Sequence, residues 1–137
     1  MKTEAIIVDI DGTISHKCDR GIFEYEKAAD DHPDEKVLEV IRCLHATGYQ
    51  IVIVTGRNTD CIDVTKEWLK QNCPPYTELF MRGSKDFRHD ADIKREIYLN
   101  QIQPHYDILC VFDDRDRVVN MWRELGLKCL QVEPGNF

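Results

Sequence analysis

Ala5-Ile6-Ile7-Val8-Asp9-Ile10-Asp11-Gly12-Thr13 ends a short apolar run in two carboxylates, Asp9 and Asp11. Consecutive apolar residues without alternation predict a strand covered on both faces, as in the parallel sheets of α/β domains. Ligands of such sheets sit beyond the carboxyl ends of the strands. That is where Asp9, Asp11 and Thr13 fall.

The rest of the chain repeats the alternation. Buried strands are predicted at Gln50–Val54, Asp107–Phe112 and Lys128–Val132, and a weaker one at Glu78–Met81. Helical spacing of apolar residues predicts helices over Pro33–His45, Thr59–Asn72, Asp92–Ile102 and Arg117–Leu125, with Pro33 in a first turn and Gly48 and Gly126 as stops. The expectation is one α/β domain over residues 1–137: a three-layer sandwich around a central, mainly parallel sheet. A chain of 137 residues is long enough for one core of this kind.

The net charge of −7 excludes a protein that coats duplex DNA through a basic face. No apolar run approaches the length of a membrane span, and four apolar residues before Asp9 are too few for a secretory leader. The six cysteines include no C-x-x-C pair, which argues against zinc and, with no leader, for free thiols in a reducing cytoplasm.

The loops after the strands collect the chemistry. Asp9, Asp11 and Thr13 follow the first strand, and Thr55, Gly56 and Arg57 the second. A polar stretch from Arg82 to Asp90 leads from the third strand to a helix carrying Lys94, and Asp113 and Asp114 follow the fourth. Carboxylates that converge from the first and fourth strands repel one another unless a cation lies between them. A hard dication such as Mg²⁺ with oxygen ligands fills that role. Lys94, Arg57 and the Thr55 hydroxyl would then hold phosphate oxygens, a set suited to phosphoryl transfer. Paired aspartates suggest a division between a nucleophile and a general acid/base, with like-charge repulsion raising the proton affinity of the second. An EF-hand is excluded because, with Asp9 as position one, Gly12 stands fourth rather than sixth.

Asp9-Ile10-Asp11-Gly12-Thr13, Thr55, Lys94 and Asp113-Asp114 resemble, in order and context, the four motifs of the haloacid dehalogenase superfamily of phosphohydrolases. Gly48 to Arg57, Asp113 to Arg123 and Leu127 to Val132 are similar to the 3′-phosphatase domain of phage-type polynucleotide kinase/phosphatases, and the similarity covers nearly the whole chain. The resemblance implies Asp9 as nucleophile and Mg²⁺ ligand. It implies Asp11 as general acid/base with its carbonyl on the metal, Thr55 and Lys94 on the phosphoryl group, and Asp114, with Asp113 beside it, as metal ligands. Arg20, Arg57 and Asp90 match further functional positions of those enzymes.

No P-loop of a kinase domain is present. The Met1 start favours a phosphatase that stands alone over an excised domain; a kinase or ligase partner, and a homodimer, are compatible with it. Only Ser15–Pro33 separates the first motif from the first helix, too short for a large cap, so an open site reachable by a polymer end is expected. The leading expectation is a Mg²⁺-dependent phosphatase of nucleic acid 3′ ends, gripping few nucleotides with weak salt dependence. The alternatives are a phosphatase of mononucleotides or other small molecules, and a non-catalytic module that docks nucleic acid ends or a partner protein. Trp68 and Trp122 are expected in the core, and Lys85, Arg88 and His89 form a local basic patch.

Overall fold

The computed structural model describes all residues from Met1 to Phe137. Strand β1 (Thr3–Val8) buries Ala5, Ile6, Ile7 and Val8 almost completely. Its side chains alternate between two cores: Ala5 and Ile7 enter one, Ile6 and Val8 the other. The uninterrupted apolar run is thus two interleaved faces, each buried Ile or Val contributing about 1.5–3 kcal/mol.

Two short strands follow, β2 (Ser15–His16) and β3 (His32–Pro33), which pair antiparallel on either side of a 3₁₀ turn at Tyr25–Asp30. Helix α1 (Glu35–Ala46) starts two residues later than Pro33 would suggest. Asp34 is the N-cap, its carboxylate accepting from Val37 N–H, while Pro33 is held in β3. Then come β4 (Gln50–Asn58), α2 (Ile62–Asn72) after a 3₁₀ turn at Thr59–Cys61, and β5 (Glu78–Arg82). Helix α3 (Asp90–Ile97) continues as a wider π turn through Tyr98–Ile102. Strand β6 (Tyr106–Asp113), α4 (Asp116–Glu124) and β7 (Cys129–Gln131) complete the chain.

The five long strands form one parallel sheet in the order β5-β4-β1-β6-β7. α1 and α2 cover one face through Leu38, Ile41, Trp68 and Leu69; α3 and α4 cover the other through Ile93, Ile97, Val118 and Trp122. From β1 the chain winds outward through β4 and β5, then crosses back to lay β6 on the other side of β1. This reversal opens a crevice at the carboxyl end of β1. Register fixes what meets there: Val8 pairs with both Ile53 and Phe112, and Asp9 N–H donates to Phe112 O at 3.0 Å. Asp9 therefore comes beside Asp113. No helix is long and apolar enough to cross a membrane.

Candidate active site

Asp9, Asp113 and Asp114 bring carboxylate oxygens within 4.8 Å of one another, and all three residues are buried. Lys94, one turn into α3 and 2% exposed, reaches into the cluster. Its Nζ donates to Asp9 Oδ1 at 2.9 Å and to Asp113 Oδ2 at 3.1 Å. Burial alone would lower the Lys94 pKa, but Asp113 and Asp9 hold it well above the usual lysine value. Thr13 Oγ1 donates to Asp9 Oδ2 at 3.0 Å. Trp122 Nε1–H donates to Asp113 Oδ2 at 3.1 Å. Trp122 is a core residue, as its helical position indicates, and its indole N–H also fixes one acid of the site.

Three buried carboxylates against one ammonium leave the cluster short of positive charge. Burial and the Asp113 charge both raise the pKa of Asp9 and of Asp114. A divalent cation relieves that cost, and an all-oxygen donor set suits Mg²⁺. Gly12 makes room for the arrangement. Its φ is +83°, and a Cβ there would lie 2.1 Å from Asp114 Oδ2. Gly12→Ala is expected to displace Asp114 and lower any catalysis at this cluster about a hundredfold, read as kcat/KM alongside a melting curve.

Asp11 stands apart from this cluster. Guanidinium groups take its oxygens. Arg57 Nε donates to Asp11 Oδ2 at 2.9 Å, Arg57 Nη2 to Oδ1 at 2.7 Å, and Arg20 Nη2 to Oδ1 at 3.3 Å. Arg57 is fully buried, its remaining contacts going to Thr65 Oγ1 at 3.0 Å and Asp31 Oδ2 at 3.4 Å. Arg57 and Thr55 lie outside the cleft lining, and Thr55 Oγ1 accepts the Arg57 backbone N–H at 3.2 Å.

Sequence reasoning missed Asp31, which organises this half of the site. It is 4% exposed and accepts Arg20 Nε at 2.9 Å, Arg20 Nη2 at 2.6 Å and the Cys18 N–H at 3.0 Å. Its carbonyl accepts Trp68 Nε1–H at 2.9 Å, tying the loop to α2. Tyr25 was also missed; both guanidinium groups stand over its ring, 5.5 Å (Arg20) and 5.4 Å (Arg57) from the centroid. Neither residue carried a signal, because an Asp in an Asp30-Asp31 pair and a Tyr in a polar loop both read as surface.

Asp90 and Gly56 meet at the opposite wall, with Asp90 Oδ2 accepting Arg115 Nη1–H at 3.1 Å. Within the basic patch, Arg88 pairs with Asp86 at 2.7 Å and Glu96 at 2.5 Å.

These groups surround a cleft of about 720 Å³ at the carboxyl ends of β1 and β6, into which Asp9, Asp11, Arg20, Asp90, Lys94 and Asp114 face. Residues 3–137 match the family model of the polynucleotide kinase PNKP phosphatase domain. The chain belongs to that family. The PNKP-type domain superposes with TM-scores of 0.95 and 0.96, at 35% identity, on chains in two structures of a Pnkp1/Rnl/Hen1 complex, one described as an RNA repair complex. In each it is covered to 99%, and it spans 44% and 48% of those chains. A protein of Autographa californica nuclear polyhedrosis virus, provisionally named a bifunctional polynucleotide kinase/RNA ligase, is 32% identical over 129 residues, which is 90% of this chain and 18% of the viral one. This PNKP-type domain therefore spans less than half the length of these relatives. A class C acid phosphatase of Bacillus anthracis shares the fold at 15% identity with a TM-score of 0.68, covering 98% of this chain and 67% of its own. So does the HAD domain of the effector Lem4 of Legionella pneumophila, at 14% identity and 0.62, covering 99% and 90%. The sheet is thus of the haloacid dehalogenase type.

Proposed function

We propose that this domain is a Mg²⁺-dependent phosphatase that removes 3′-phosphate from polynucleotide ends through a phosphorylated Asp9. The observation that carries the reading is the buried Asp9–Lys94–Asp113–Asp114 cluster at the floor of an open cleft in a chain of this family.

Asp9, Asp113 and Asp114 would hold the cation, with the Asp11 carbonyl as the family resemblance implies. When bound, it supplies positive charge that offsets anion–anion repulsion and polarises the phosphoryl group. Asp9 is shaped for attack: Lys94 and Thr13 each occupy one of its oxygens and fix the carboxylate plane. An Asp9 oxygen attacks phosphorus, and the bond from phosphorus to the ribose 3′ oxygen breaks. Asp11, on the cleft wall, gives that oxygen a proton. In the second half, water attacks the phosphorus of phospho-Asp9, Asp11 takes the water's proton, and inorganic phosphate leaves. The proton gained in one half is the proton donated in the other. Arg57 and Arg20 orient Asp11 at the cleft wall. Lys94, already charged, balances the phosphoryl oxygens.

The stretch between β1 and α1 is a small ribbon and turn rather than a cap domain, which suits access by a polymer end. The named relatives favour RNA as that polymer and a kinase or ligase as the partner activity. Six free thiols suit a reducing compartment such as the cytoplasm.

A panel of oligonucleotides tests the reading. RNA and DNA ending in 3′-phosphate should release phosphate with Mg²⁺ and not with EDTA, and the same strands ending in 5′-phosphate should not. Turnover of mononucleotides or sugar phosphates alone would overturn it.

A further inference from the structure

The cleft is larger than a phosphate and a metal require. At about 720 Å³ it lies within the roughly 300–1,000 Å³ of pockets that enclose whole small molecules. Its floor is charged, but exposed apolar side chains also line it. Of the eight large apolar side chains exposed on the chain, three, Ile22, Phe23 and Phe137, line this one cleft. Phe23 is 79% exposed and Phe137 67%.

The two rings reach the mouth from distant parts of the chain, Phe23 from the loop after β2 and Phe137 from the segment after β7. Phe137 is held there. The Arg115 guanidinium lies 5.2 Å from its ring centroid, Arg115 Nε donates to Phe137 O at 2.7 Å, and Arg115 Nη1 is anchored on Asp90. Gly135 permits this path, because a Cβ there would lie 2.0 Å from the Asp114 carbonyl oxygen. The segment that carries Phe137 is therefore packed directly on the backbone of a site acid.

We propose that Phe23 and Phe137 form a nucleobase subsite, stacking on the base of the nucleotide that carries the scissile 3′-phosphate. The proposal rests on the polynucleotide reading above and deepens it. The cleft is continuous from Asp9 to the rings, so a nucleotide with its phosphate on the floor extends toward the mouth. A chain of net charge −7 lacks the broad basic surface by which many proteins hold a phosphate backbone. Local contacts must then supply the grip, and base–aromatic stacking does so without demanding a sequence.

The test uses two 3′-phosphorylated oligonucleotides that differ only in whether the terminal nucleotide carries a base or is abasic. Wild-type protein should prefer the base-bearing end about tenfold or more in kcat/KM. In Phe23→Ala and Phe137→Ala that ratio should fall toward unity, whereas Phe23→Tyr and Phe137→Tyr should keep it. A ratio is insensitive to the fraction of protein folded, so a merely structural role would not move it. Equal turnover of both ends by wild type, or an unchanged ratio in both alanine variants, would overturn stacking while leaving the polynucleotide reading intact. Hydrolysis of small phosphomonoesters with no turnover of either oligonucleotide would overturn both.

Discussion

Asp9→Asn is expected to abolish phosphate release, by at least about 10⁴-fold in kcat, while leaving the fold as stable as wild type or more so. The two effects have opposite signs for one reason. Burial, and then the Asp113 charge, raise the Asp9 pKa above its unfolded value. A carboxyl raised in this way favours folding only below its unfolded pKa; at neutral pH, held ionised, it costs folding free energy. Asn keeps the shape and removes the charge. Lys94 keeps Asp113 as its partner at 3.1 Å, so no buried ammonium is left unpaired. Phosphate release from a 3′-phosphorylated oligonucleotide and a metal-free thermal melt read the two halves. A variant that is inactive because it is unfolded would contradict this account of Asp9.

Asp31→Ala is expected to cost about 3–5 kcal/mol of stability, the range for breaking a buried ion pair from one side. It removes the acceptor for Arg20 Nε and Nη2 and for the Cys18 N–H, and leaves two buried guanidinium groups short of charge. Activity should fall as well, because Arg20 and Arg57 position Asp11. Burial alone would raise the Asp31 pKa, but the Arg20 hydrogen bonds and the Cys18 N–H bring it below the usual carboxylate value. A carboxylate depressed on folding contributes stability that is present above its unfolded pKa, about 3.9, and lost as pH falls through the folded value. The gap between wild type and Asp31→Asn in urea melts should therefore be widest near neutral pH and close below about pH 4. A gap that does not change with pH would mean that the Asp31 charge plays no part.

The residues that were legible in the sequence share a property: their neighbours along the chain declare the element that carries them. Asp9 and Asp11 follow an uninterrupted apolar run, Lys94 sits on a helical face, and Asp113-Asp114 ends a second apolar run. Parallel topology then brings them to one edge of the sheet. Asp31, Tyr25 and Phe23 lie between β2 and α1 where no periodicity exists, and their roles come from contacts with β4, α2 and the cleft. Trp122 shows the intermediate case. Its inward face was legible, but the direction of its N–H toward Asp113 depends on packing against Tyr98, whose ring meets it edge-on at 6.1 Å. Arg57 follows Thr55-Gly56 within β4, which continues to Asn58, and the direction of its guanidinium toward Asp11 and Thr65 is set by packing that no local pattern declares.

Acid quench of the Mg²⁺-loaded protein during turnover of a 3′-phosphorylated oligonucleotide, followed by mass spectrometry of its peptides, bears most directly on Asp9 as nucleophile. A phosphoryl group on the peptide containing Asp9, absent from Asp9→Asn, is the expected result. Rapid phosphate release with no covalent label, or a label on another residue, would contradict it.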